Sequence, residues 1–168
     1  LNLSALQFNH AGLDEEVRQA LAASGLDPSR LEVELTETTL LPSQNGSQAL
    51  LAAWRTLGLR LAIDDFGTGS SSIPQLKRLQ VDKLKIDRSF IRDLTTNAED
   101  RALVPAMIQL AHALDIRTLA EGVESPAQAR LLRALGCDEA QGYLYAKPLP
   151  AAQAAAWVTA HSPARLDG

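Results

Sequence analysis

Acidic and amide side chains recur at the tips of short apolar runs along this chain. They are Asn2 in LNLS, Glu34 and Glu37 in LEVELTE, Asp64 and Asp65 in LAIDDFGTG, Asp87 after KLKI, Glu121 and Glu124 in LAEGVE, and Gln141 in AQGYLY. Carboxylates gathered at one place raise each other's pKa unless cations hold them ionised, and hard oxygen ligands of this kind suit Mg²⁺ or Mn²⁺. Two such ions about 3.5–4 Å apart are a recurrent apparatus for hydrolysing phosphodiesters. Lys85, between Leu84 and Ile86, is the cation that would orient the attacking water or neutralise the phosphate. A lysine aimed into a strand-lined interior is rarely tolerated without a partner. Taken singly, each strand-end acid reads as a helix cap or a solvated rim charge, and an Asp doublet before glycine is also an ordinary turn sequence. Adjacent strand residues point to opposite faces, so Asp64 and Asp65 share one site only if the strand breaks there, as Gly67 and Gly69 permit. His10, His112 and His161 show no ligand spacing, and Cys137 reads as a small buried hydrophobe.

The elements that must position these residues alternate. Apolar strands are predicted at about 1–4, 31–36, 59–64, 83–87, 118–121 and 141–145. Helices fall between them, two of which, 13–24 and 48–57, stop at Gly25 and Gly58. Another runs from Leu103 onward, where Pro105 is expected to delay its start or kink it, and one spans 126–135 after Ser125. Near-continuous apolar strands joined by helices mark a parallel sheet covered on both faces. Open doubly wound sheets bind ligands at one switch point, whereas barrels draw site residues from many strand tips. Here nearly every strand ends in something polar, which favours a (β/α) barrel.

Composition bounds the rest. The 168 residues are 46% hydrophobic with a net charge of −4, enough for one domain with a sizeable core and no electrostatic footprint for coating DNA. No apolar run approaches the roughly 20 residues of a membrane span, and no secretion signal opens the chain. A single cysteine forbids an internal disulfide and fits a reducing compartment.

The blocks LNLSALQF, LEVELTET, LRLAIDDFGTGSSS, VDKLKIDRSFI, TLAEGVES and GCDEAQGYLYAKPLP resemble, in order and spacing, those of the EAL family of bacterial cyclic di-GMP phosphodiesterases. The resemblance implies a TIM-like barrel that uses Mg²⁺ or Mn²⁺ in a two-metal site to open cyclic di-GMP to linear pGpG. It makes Asn2, Glu34 and Asp64 metal ligands, with Asp65 on the second metal and Glu121 a further ligand or a general base. Lys85 would hold the attacking water, Glu124 would pin the loop after Asp65, and Gln141 and Asp87 would support substrate and loop. The Glu-Ala-Leu motif itself does not occur in the sequence. The chain is therefore expected to begin inside its domain, with about six of eight strand-helix units and without an upstream metal-binding Glu and substrate-contacting Arg. Ser70 stands where the family usually has Tyr, and Pro74 and Gln75 where it often has Ser and Tyr. The resemblance further implies a homodimer of the intact domain, a tandem diguanylate cyclase or sensor domain, and a cytoplasmic location. Some relatives lose catalysis and act as cyclic di-GMP receptors or interaction modules, which is the alternative function.

Overall fold

A computed structural model of the chain describes residues 1–39, 46–69 and 73–161. Six parallel strands form one sheet in sequence order: β1 (Asn2–Leu3), β2 (Glu32–Thr36), β3 (Arg60–Phe66), β4 (Lys83–Ile86), β5 (Arg117–Ala120) and β6 (Glu139–Ala140). The helices are α1 (Ala5–Phe8), α2 (Leu13–Ser24), α3 (Gly46–Leu57), α4 (Ile73–Leu79), α5 (Arg88–Arg92), α6 (Ala98–His112), α7 (Pro126–Ala134) and α8 (Ala151–His161). Strand order never reverses, so the doubly wound alternative is excluded and the winding is that of a TIM-like barrel. β1 and β6 form the two edges of the sheet, which leaves the barrel open at six strands.

The two faces of the sheet carry different chemistry. On β2, Val33 and Leu35 are buried against the helices, while Glu32 and Glu34 alternate to the other side. Those glutamates meet Lys83 and Lys85 of β4 across the intervening β3. That contact requires a concave face, and β3 makes room with Ala62, level with Glu34 and Lys83. The outer layer is apolar: Trp54 is fully buried, its indole N–H donating to Asp14 Oδ1 at 3.0 Å, and Val104, Ile108 and Ala111 line α6.

Three expectations change. β6 occupies Glu139–Ala140, and beyond it Gln141 still bonds to the backbone of Ala120 and Val123 before residues 142–145 turn, with Gly142 close against the Val123 backbone. α6 starts at Ala98, well before Pro105, because Asn97 accepts the N–H groups of Glu99 and Asp100 and two acids occupy the first turn. β3 runs past Asp64 to Phe66. Ser70 lies outside the described residues, whereas Pro74 and Gln75 open α4.

Candidate metal centre

Lys85 is the hub of the site. It is 5% exposed, and its ammonium donates to Glu34, to Asp64 Oδ1 at 2.8 Å and to Glu121 Oε1 at 2.9 Å. Burial pushes the amine's pKa down, but the hydrogen bonds to Asp64, Glu34 and Glu121 outweigh it and raise it, so the group is charged. Three strands therefore converge on β4 at this level. Gln141, one residue beyond β6, donates its amide to Glu121 Oε1 at 2.6 Å. Asn2 on β1, level with Glu34, donates to Glu34 Oε2 and Asp64 Oδ2 at 3.2 Å each, in the amide orientation that satisfies both.

The Asp doublet shares the site by a local backbone device. Asp65 itself takes the left-handed conformation, φ 53°, and the β3–β4 register slips between Ile63 and Phe66. The expected break thus falls on an aspartate, one of the few residue types that tolerate this region. Gly67, φ 99°, follows it. As a result one oxygen each from Asp64, Asp65 and Glu121 lies within 4.8 Å of the others. Burial raises the Asp65 pKa, and repulsion from Asp64 and Asp87 adds to the rise. Glu121 is also raised by burial, against the opposing pull of Lys85. Asp87 caps α5 by accepting the Ser89 N–H, and that bonding outweighs burial to lower its pKa.

Charge separates the two ends of the concave face. At the strand C-termini, Glu34, Asp64, Asp65 and Glu121 face one ammonium, an excess of three negative charges. One layer below, Lys83 bridges Glu32 at 2.9 Å and Glu139 at 3.0 Å, and Arg117 pairs with Glu139, so that charges cancel. Unbalanced like charges a few ångströms apart in a half-buried cup are costly, about 4 kcal/mol per pair at 4 Å and an effective dielectric of 20. Divalent cations relieve that repulsion, and the donor set of carboxylates and one amide fits Mg²⁺-like ions. A cleft of 680 Å³ lies at the opposite end of the strands, lined by Arg60, Lys77 and Lys83 among others, and takes no part in this cluster.

Most of the sequence-derived site residues meet here. A carboxylate that reaches the glycine loop at Gly67 is Glu37. Glu37 is 3% exposed, accepts the Gly67 N–H at 3.3 Å, and lies so close to Gly69 that a Cβ there would sit 2.8 Å from its Cδ. Glu124 is exposed, and its side chain makes no hydrogen bond or ion pair with any described residue. The sequence signal for Glu37 was its position three residues after Glu34. Only the β2–β3 pairing, which sets Thr36 beside Asp64, shows that it lands at the loop. His112 pairs with Asp138 at 2.9 Å beside Thr118, away from the cup, and Cys137 is half-buried with its thiol pKa pushed up by burial.

Strand-tip carboxylates gathered at the mouth of a parallel β/α sheet define the class: a TIM-like domain with its candidate site at the C-terminal ends of the strands. The family model of the EAL domain matches residues 1–148, and the chain belongs to that family. It is 46% identical over 153 residues to the bifunctional diguanylate cyclase/cyclic di-GMP phosphodiesterase MucR of Pseudomonas aeruginosa, covering 91% of this chain and 22% of MucR. The solved MucR phosphodiesterase in complex with c-di-GMP superposes with a TM-score of 0.87, over 91% of this chain and 62% of that one. Klebsiella pneumoniae BlrP1, solved with manganese and with calcium beside cyclic di-GMP, is 33% identical with a TM-score of 0.80, over 88% of this chain and 38% of that one. No helix among the described residues is long and apolar enough to cross a membrane.

Proposed function

We propose that this chain forms the larger part of a domain that hydrolyses a phosphodiester bond of cyclic di-GMP, consuming one water and releasing linear pGpG. The observation that carries the reading is the uncompensated cluster of four carboxylates around Lys85, at the strand ends where this fold class places its sites. Its relatives support the substrate: MucR is named for the activity, and its structure holds the dinucleotide.

Asn2, Glu34, Asp64, Asp65 and Glu121 would hold Mg²⁺ or Mn²⁺, with Asn2 turning its amide oxygen toward the cation. When bound, such a pair of cations supplies an activated water and charge neutralisation at the attacked phosphate. Lys85, kept protonated by its carboxylates, donates a hydrogen bond to the attacking water or to a non-bridging phosphate oxygen. Glu121 orients Lys85 from one side and is itself held by Gln141. Asp87 sets the start of α5 beside Asp65. Glu37 holds the loop at Gly67 and Gly69, which closes one wall of the cup.

A homodimer of the intact domain, a neighbouring diguanylate cyclase or sensor domain, and a cytoplasmic setting belong to the same proposal. The packing of Gly67 against Phe90 and Met107 supports the first of these, because it joins the site loop to α6, which exposes Leu103. Incubating the complete protein with cyclic di-GMP and Mn²⁺ is expected to yield pGpG. Absence of product at micromolar protein refutes the reading, as does normal turnover by Asp64→Ala.

A further inference from the structure

Gln128, on α7, is 6% exposed and uses all four hydrogen-bonding positions of its amide. Its Oε1 accepts the backbone N–H of Glu124 at 2.9 Å and of Ser125 at 2.8 Å, while its Nε2 donates to the backbone oxygens of Ile91 at 3.0 Å and Arg92 at 3.1 Å. One half of this arrangement is a capping box, in which the Gln128 N–H also donates to Ser125 Oγ at 3.2 Å. Capping requires only that half. The other half leaves α7 and crosses to the last turn of α5, 36 and 37 residues earlier in the chain.

The two segments so joined are those that leave the site. α5 begins directly after Asp87, two residues beyond Lys85, and Glu124 and Ser125 end the loop that Glu121 begins. The same two segments touch at Gly122, where a Cβ would lie 2.7 Å from that of Arg88, but this contact has no direction. Gln128 supplies the direction. Val123 then passes the constraint on to the segment after β6, donating its N–H to Gln141 O and accepting that of Leu144, both at 3.0 Å. Gln141 in turn holds Glu121.

We infer that Gln128 is a positioning residue that sets Glu121 and Gln141 at their working distance from Lys85. The inference rests on reading the acidic cluster as a divalent-cation site. Outer partners that orient metal ligands are worth about 10- to 100-fold in metal affinity.

Mn²⁺ binding to the complete protein, followed by electron paramagnetic resonance of the free ion, tests it alongside thermal melting. Gln128→Glu keeps the acceptor for the Glu124 and Ser125 N–H groups, and hence the capping box, but sets a carboxylate oxygen against two carbonyls. Gln128→Met keeps the volume and removes all four side-chain hydrogen bonds, leaving only the backbone N–H to Ser125 Oγ. Folded Gln128→Glu is expected to bind Mn²⁺ 10- to 100-fold more weakly, with kcat recovering at saturating Mn²⁺ and KM for the dinucleotide little changed. Wild-type affinity in either folded variant overturns the inference and leaves capping as the residue's role. Unfolding of both variants also overturns it, by making the bridge a requirement of the fold and not of the site. If the unmutated protein fails to bind Mn²⁺, or binds it equally well as Asp64→Ala, the metal reading itself falls.

Discussion

Replacing Lys85 by methionine removes the buried ammonium inside a ring of four carboxylates while retaining most of the side chain's volume. Lys85 is 5% exposed and its ammonium contacts Asp64 and Glu121 at 2.8 and 2.9 Å, so its loss leaves buried charge without a partner. Breaking a buried ion pair from one side costs about 3–5 kcal/mol. In a domain of this size each kcal/mol shifts Tm by roughly 2–4 °C, so melting in EDTA is expected to fall by about 6–20 °C. Mn²⁺ at a hundred times its Kd returns about 2.7 kcal/mol by binding the native state alone, and so restores much of the loss without restoring turnover. The pH dependence has a definite sign. Burial already raises the Glu121 pKa against the pull of Lys85, and removing Lys85 removes that pull. The folded variant then binds more protons than the unfolded chain, and its stability falls as pH rises above the ordinary glutamate value of about 4.3. Calorimetry at pH 5 and pH 8, with EDTA and with Mn²⁺, measures all of this on the complete protein. A variant in EDTA at pH 8 that melts within 2 °C of the unmutated protein, or shows the same deficit at both pH values, refutes the reasoning.

Three further outcomes follow from particular contacts. Gly142→Ala places a Cβ 2.2 Å from Val123 O and 2.3 Å from Val123 N, both backbone atoms, and is expected to cost more than about 3 kcal/mol; a Tm within a few degrees of the unmutated protein contradicts the close packing. Glu37→Ala removes the acceptor for the Gly67 N–H, worth about 1.5 kcal/mol for a charged partner, so that amide is expected to exchange about tenfold faster; unchanged protection removes Glu37 from the loop's support. At Asp138, burial works upward, but hydrogen bonds from His112 and Thr118 outweigh it and hold the carboxyl at about 2. Its stabilisation is complete above the unfolded value near 4 and is lost as pH falls toward 2. Because the group is about one-third exposed, the contribution is about 1 kcal/mol at most after solvent screening. Asp138→Asn is therefore expected to flatten the decline of Tm between pH 4 and pH 2, and an unchanged acid limb contradicts this.

The alternation of strands and helices, and the polar residue at each strand tip, were legible in the sequence because both depend on short-range patterning. Glycine stops closed α2 and α3 where expected, at Gly25 and Gly58; Asn2, Glu34, Asp64 and Glu121 stand at the ends of apolar runs, and Lys85 sits between two apolar residues of one. The boundaries that shifted did so for non-local or competing local reasons. β6 ends at Ala140, where Gly142 two residues on packs against Val123 across the rim, and the Asn97 cap begins α6 despite Pro105.

What the sequence determined by itself is the chemical inventory: hard oxygen donors and one lysine, each delivered by its own strand, in an order that a parallel β/α winding carries to one rim. Only the tertiary structure decided how these charges add. Register and curvature let β2 touch β4 over Ala62, cancel the lower ionic layer around Lys83, and leave the upper one three charges negative. They also decided that Glu37 reaches the loop, and that Asp65 carries the backbone break. Charge balance in a concave site is a sum over side chains distant in sequence, at distances that pairing sets and composition does not contain.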